Sequence, residues 1–133
     1  MSTKEKKSYT ISELATQLKI SPRTIRFYEE KNLISPKRTP GNQRKYSKKD
    51  WDRLKLILRG KRFGFSLNEI GEMIGMANVD MSEIDQINTS LAYSKNKIKD
   101  IRERKSELTQ LENELTSLMK RLSDRLEVLL KKN

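Results

Sequence analysis

From Ser82 to Leu130 the chain contains neither glycine nor proline, and an apolar column runs through it at seven-residue spacing. The column reads Ile87, Ser94, Ile101, Leu108, Leu115, Leu122 and Leu129. A companion row holds Ile84, Leu91 and Ile98 early on, then Leu111, Leu118, Met119 and Leu126. Such a seam predicts a coiled-coil helix over 82–130, roughly 73 Å long at ~1.5 Å per residue. A helix of that length with one apolar stripe needs a partner in water, because it has no core of its own to cover the stripe. The partner is either the helix itself, folded back as a hairpin, or a second subunit. The absence of turn residues favours the second subunit. Ile87, Leu91, Ile98, Ile101, Leu108, Leu111, Leu115, Leu118 and Leu122 are then the dimerisation contacts. The companion row falters at Lys105 and Glu112, where a bend or a change of register is expected.

The rest of the chain has a different character. Of the 29 Lys/Arg and 18 Asp/Glu in 133 residues, residues 1–65 hold 18 and 6, a balance of +12. Residues 66–133 hold 11 and 12, so the whole excess of +11 lies in the first half. A basic half joined to a neutral one is the footprint of a polyanion-binding domain attached to something else. Cysteine and histidine are both absent, which removes thiolate sites and the commonest metal ligand and general base. No phosphate-binding GxxxxGK[ST] run is present, and no cofactor, metal site or catalytic residue is expected. No window approaches the ~18 apolar residues of a membrane span, and Met1–Lys7 lacks the apolar core of a signal peptide. The expectation is a soluble, cytoplasmic, non-enzymatic protein with no membrane partner.

Helix starts are clearly marked. Thr10 with Glu13, Ser47 with Asp50, Ser66 with Glu69 and Ser82 with Asp85 each place a hydroxyl three residues before a carboxylate. That spacing lets the hydroxyl satisfy an orphan N–H while the acid meets the positive helix end. Ser21-Pro22 supplies a fifth start, with proline where its missing N–H costs nothing. The expected elements are a helix from Ile11 to Leu18, one from Pro22 to about Lys31, one from Ser47 to about Phe63, and one opened by Ser66 and stopped by Gly75. In the third, Trp51, Leu54, Ile57 and Leu58 are expected to face the core. The first two helices, joined by three residues, read as a helix-turn-helix. Ser35–Tyr46, with two prolines, a glycine and four Lys/Arg, suits an exposed two-stranded wing turning near Pro40-Gly41. The fold class is thus mainly α: a winged helix-turn-helix domain over 9–76 after a basic tail (1–8), then a hinge (77–81) and the dimerisation helix (82–130).

Arg23, Thr24, Arg26 and Phe27 occupy the first turns of the second helix, where a recognition helix meets base edges; arginine suits guanine, and threonine meets either base type or a thymine methyl. The plainer alternatives are a core position for Phe27 and a solvated face for the two arginines. Ile25 and Tyr28 point to the core. In the wing, Lys37, Arg38, Arg44 and Lys45 form two basic clusters suited to phosphates, and Arg44 also to the minor groove. Tyr46 either donates its hydroxyl to a phosphate or packs beneath the wing. Lys61 and Arg62 are further phosphate candidates.

Tyr9-Thr10-Ile11-Ser12-Glu13-Leu14-Ala15, Thr24-Ile25-Arg26-Phe27-Tyr28-Glu29, Asn32-Leu33-Ile34, Arg44-Lys45-Tyr46 and Gly64-Phe65-Ser66-Leu67-Asn68-Glu69-Ile70 occur in this order. In order and spacing the run resembles the MerR family of bacterial transcription regulators across residues 8–76. The resemblance implies a homodimer that binds a palindrome in double-stranded promoter DNA and distorts the spacer so that RNA polymerase engages both promoter elements. The energetic logic is indirect readout. Two features depart from the family pattern: Asn42-Gln43 stands where glycine-tyrosine is common, and the cysteines of its metal and redox sensors are absent. The bare C-terminal helix and the Arg59–Leu67 run resemble a subgroup linked to acyl-CoA and branched-chain amino acid breakdown, with no effector ligand identified. The competing expectation is an architectural, chromosome-associating protein that uses the coiled coil as a partner platform.

Overall fold

The computed structural model describes residues 8–132, in the order β1 (Ser8–Tyr9), α1 (Ile11–Leu18), α2 (Pro22–Glu30), β2 (Lys37–Arg38), β3 (Arg44–Ser47), α3 (Lys48–Arg62), α4 (Leu67–Ile74) and α5 (Glu83–Lys131). The chain divides into two compact units after Leu91. The expected basic tail lies outside the described residues except for Ser8, which opens β1.

Capping explains where the helices begin. Thr10, Ser47 and Ser66 each accept from the backbone N–H three residues on, while the acid at that position accepts from the cap's own N–H. Ser21 accepts from the N–H of Thr24 with Pro22 in the first turn, and the Ser82 hydroxyl accepts from the N–H of Asp85 at 3.1 Å. α1 ends on Lys19 in the left-handed conformation (φ 58°), which turns the chain into α2 within three residues.

Leu14, Ile25, Leu33, Ile34, Tyr46, Leu54, Ile57 and Ile70 are fully buried and form the core of the first unit. α3 and α4 meet at Gly60, where an added Cβ would lie 2.8 Å from Ile70 Cγ1; only glycine permits that approach. Trp51 corrects the expected core face of α3. It is half-buried, its Nε1 donates to Gln17 Oε1 at 3.0 Å, and the ammonium groups of Lys48 and Lys55 lie 4.1 and 4.8 Å from its ring. A Trp carries a donor that must be satisfied, and the polar α1–α3 margin satisfies it.

The wing belongs to a larger sheet than expected. β3 pairs antiparallel with β2, Lys37 opposite Lys45 and Arg38 opposite Arg44, and also with β1, Tyr9 opposite Tyr46. The sheet is therefore three-stranded, in the order β1-β3-β2. The Pro40-Gly41 turn is closed by Thr39 N–H to Gln43 O at 2.9 Å and Asn42 N–H to Thr39 O at 2.8 Å.

An arginine that the sequence reading passed over fastens the domain. Arg53 is only 7% exposed, and its guanidinium donates to the carbonyls of Leu33 (2.7 Å), Ile74 (3.3 Å) and Gly75 (2.6 Å). One side chain thus satisfies the exit of α2 and the C-terminal end of α4, where a positive charge also suits the helix dipole. Burial lowers its pKa, opposed by the charge of Asp50.

The connector after α4 is tied back as well. The Ala77 N–H donates to Asn32 O at 2.8 Å, Asn32 Nδ2 donates to Asn78 Oδ1 at 3.0 Å, and Gln86 Nε2 donates to Ile74 O at 2.9 Å.

The second unit, Ala92–Asn133, is described by α5 alone, which has no buried residue. The helix passes Lys105 and Glu112 without interruption. Their carbonyls accept from the hydroxyls of Thr109 and Thr116, at 2.9 and 2.8 Å. No helix among the described residues is long and apolar enough to cross a membrane.

Candidate nucleic-acid interface

α2 buries Ile25 and Tyr28, three residues apart, and this sets which side chains its other face offers. Arg23 and Arg26 are exposed, and Phe27 is 39% exposed rather than in the core. The Lys31 ammonium lies 5.4 Å from the Phe27 ring. The Thr24 hydroxyl lies 2.8 Å from the Ser21 hydroxyl at the cap.

An open groove of ≈ 530 Å³ separates this face from the wing, lined by Arg23, Arg26, Phe27, Glu29, Glu30 and Arg44. The exposed guanidinium groups of Arg23 and Arg26 suit a polyanion, beside Arg44 and the carboxylates of Glu29 and Glu30. Lys37, Arg38 and Lys45 are exposed on the hairpin, while Arg44 is half-buried. Lys61 and Arg62 are exposed in the last turn of α3, where a cation also complements the helix dipole, so their placement has a local explanation beside any role toward phosphates.

Tyr46 is corrected. It is fully buried beneath the wing, and its hydroxyl has no hydrogen-bond partner among the described residues. Burial, reinforced by the Glu29 carboxylate, pushes the phenol up to about 12. Such a group cannot reach a phosphate, and its side chain serves as the floor on which β3 rests.

Glu29 is the residue in this face that the sequence reading missed. Its Oε2 accepts from Arg44 Nε at 2.7 Å, and its Oε1 lies 3.9 Å from Arg38 Nη2. The hydrogen bond to Glu29 raises the pKa of Arg44 above its ordinary value. The Glu29 and Arg44 side chains are 22% and 28% exposed, so the pair adds no more than about 1 kcal/mol of stability. No local signal announces it, since the partners are 15 residues apart in the chain.

On α5 the expected dimerisation residues are all exposed, from Leu118 at 40% to Leu91 at 63%. Among the described residues no group of His, Cys, Asp and Glu could hold a metal ion.

Known proteins match this arrangement over most of the chain. Residues 9–76 match the MerR HTH family regulatory protein model, and residues 51–118 match the MerR DNA-binding model. The mercuric resistance operon regulatory protein of Bacillus cereus is 34% identical over 85% of this chain and 84% of its own. Among solved structures, HiNmlR, a MerR family regulator lacking the sensor domain and bound to promoter DNA, is 27% identical, with a TM-score of 0.54 over 77% of this chain and 76% of that one. A MerR family transcriptional regulator from Bacillus cereus is likewise 27% identical, with a TM-score of 0.60 over 83% and 81%.

Proposed function

The chain belongs to the MerR family of helix-turn-helix regulatory proteins, and we propose that this transcriptional regulator acts as a homodimer on a palindromic promoter site, whose spacer it distorts. The observation that carries the reading is the groove between α2 and the wing, where exposed Arg23, Arg26 and Phe27 face a basic hairpin. Arg23, Thr24 and Arg26 read base edges, and Lys37, Arg38, Lys45, Lys61 and Arg62 hold phosphates. HiNmlR, one of the solved relatives, is bound to promoter DNA, which supports the same partner here.

Pairing through α5 explains the exposed seam. Two copies that bury Leu108, Leu111, Leu115, Leu118 and Leu122 against each other gain about 1 kcal/mol for each leucine, because the side chains are 40–59% exposed beforehand. A two-fold dimer then carries two recognition helices, which suits a two-fold DNA site. Distortion of the intervening DNA is offset by the phosphate contacts, and RNA polymerase at that promoter is the partner that reads the result. Mercury is an unsuitable effector. A soft metal selects thiolates, and this sequence has no cysteine.

Selection of genomic fragments by the purified protein, followed by hydroxyl-radical footprinting, tests the reading. The expected outcome is a protected palindrome within one or a few promoters, with altered cleavage at its centre. Salt-sensitive binding spread over all fragments without a shared motif would replace this reading with the architectural one.

A further inference from the structure

The wing on its own is a weak structure. β2 has two residues, too short a ladder to hold a hairpin in place, and its cross-strand neighbours Arg38 and Arg44 carry like charges, a pairing that drives strands apart. Something outside the hairpin must set its angle. Beneath it, Tyr46 provides support but no direction, because its hydroxyl has no partner among the described residues.

Glu29 provides that direction. It lies on α2 three residues after Arg26 and two after Phe27, so any movement of α2 carries the carboxylate along with the base-reading face. The 2.7 Å bond from Arg44 Nε ties β3 to that carboxylate, and the second oxygen, 3.9 Å from Arg38 Nη2, places negative charge beside the other member of the repelling pair. Arg38 is further held by its Nη1, which donates to Asn42 O in the turn at 3.2 Å. The chain of contacts runs from α2 through Glu29 to both strands and the tip of the wing. An acid in a surface meant for phosphates weakens binding unless it does something else there.

We propose that Glu29 is a positioning residue for DNA recognition. It clamps Arg44, and with it the wing, to the recognition helix, so that base reading and phosphate contact keep one relative geometry. The proposal rests on the DNA-binding reading above. The clamp sacrifices affinity for discrimination: it neutralises part of the wing's charge and holds the wing where only a correctly shaped duplex meets both elements. Arg44 is accordingly a strut, and the phosphate contacts fall to Lys37, Arg38 and Lys45.

The test compares Glu29→Gln, Glu30→Gln, Arg44→Gln and the Glu29→Gln/Arg44→Gln double variant, each checked by thermal melting. Affinity is measured on the footprinted fragment and on a random duplex of equal length, across a salt series. Glu30 is exposed on the same helix and makes no ion pair with the wing, so Glu30→Gln reports the loss of one negative charge alone and should tighten both DNAs equally. Glu29→Gln should tighten the random duplex while lowering the specific-to-random ratio about tenfold, the order of one misread base pair. The double variant should lose no more of the ratio than Arg44→Gln does, because both changes open one clamp. A Glu29→Gln variant that parallels Glu30→Gln, or losses that add in the double variant, would overturn the proposal. If the native protein binds both DNAs alike, the regulator reading fails, and the clamp is then read from the random duplex alone. There Glu29→Gln should steepen the salt dependence by about 0.9 per freed arginine, and by less in the Arg44→Gln background, where only Arg38 remains to be freed. A steepening equally large with and without Arg44 would likewise overturn the clamp.

Discussion

At the scale of single residues, identity and spacing identify chemistry, while burial decides whether that chemistry is available. Arg26 is exposed on the face of α2 opposite Ile25 and Tyr28, as spacing alone predicts. Arg26→Ala should cost on the order of 1–3 kcal/mol on the specific site and relax its sequence preference. Lys61→Ala should instead weaken all duplexes alike and reduce the salt slope, so titrations of both variants on specific and random DNA separate a base reader from a phosphate contact. Tyr46 shows the opposite case, since a tyrosine at the foot of a basic wing suits a phosphate as well as a core, and only its full burial settles the matter. Its folded pKa, about 12, lies above the ordinary 10.0. The stability that this contributes is complete below pH 10 and is lost as pH rises toward 12, at about 1.4 kcal/mol per pH unit. Tyr46→Phe should remove that alkaline slope in urea titrations from pH 9 to 12. At neutral pH it should raise stability by about 1 kcal/mol, because a buried hydroxyl without a partner is removed.

At the scale of elements, all five helix starts and the arrest of α4 at Gly75 follow from local rules, since a hydroxyl, an acid, a proline or a glycine acts within one turn of where it stands. β1 does not follow. Two residues, Ser8 and Tyr9, carry no readable alternation, and they become a strand only because β3 offers an edge to pair with. Arg53 is similar: on a basic helix it reads as one more surface charge, yet the carbonyls it satisfies come from segments 20 to 22 residues away. Arg53→Met should leave those carbonyls without their charged donor and cost about 3 kcal/mol in chemical denaturation, whereas exposed Arg59→Met should change stability by under about 0.5 kcal/mol. A comparable loss in both variants would mean that the three bonds do not fasten the α2 exit to α4.

At the scale of the whole molecule, the decisive quantity is the apolar surface that one chain leaves uncovered. Leu108 and Leu115 are each 59% exposed on α5, and an apolar seam of that length calls for a second helix. Leu108→Asp and Leu115→Asp should convert dimers to monomers in sedimentation equilibrium and abolish binding to a two-fold site, while the helix-turn-helix domain, with its separate core, keeps its fold. A still-dimeric double variant would place the dimer contact elsewhere. Composition, charge asymmetry and periodicity by themselves determined the helix-turn-helix, the basic face and the exposed seam, because each is expressed within a few turns of contiguous chain. Tertiary structure alone decided that Tyr46 is a floor, that Trp51 lies at a polar margin, that Arg53 is a fastener and that Glu29 holds the wing. Each of those roles depends on a partner distant in sequence, and burial and pairing at such distances are set only when the chain has folded.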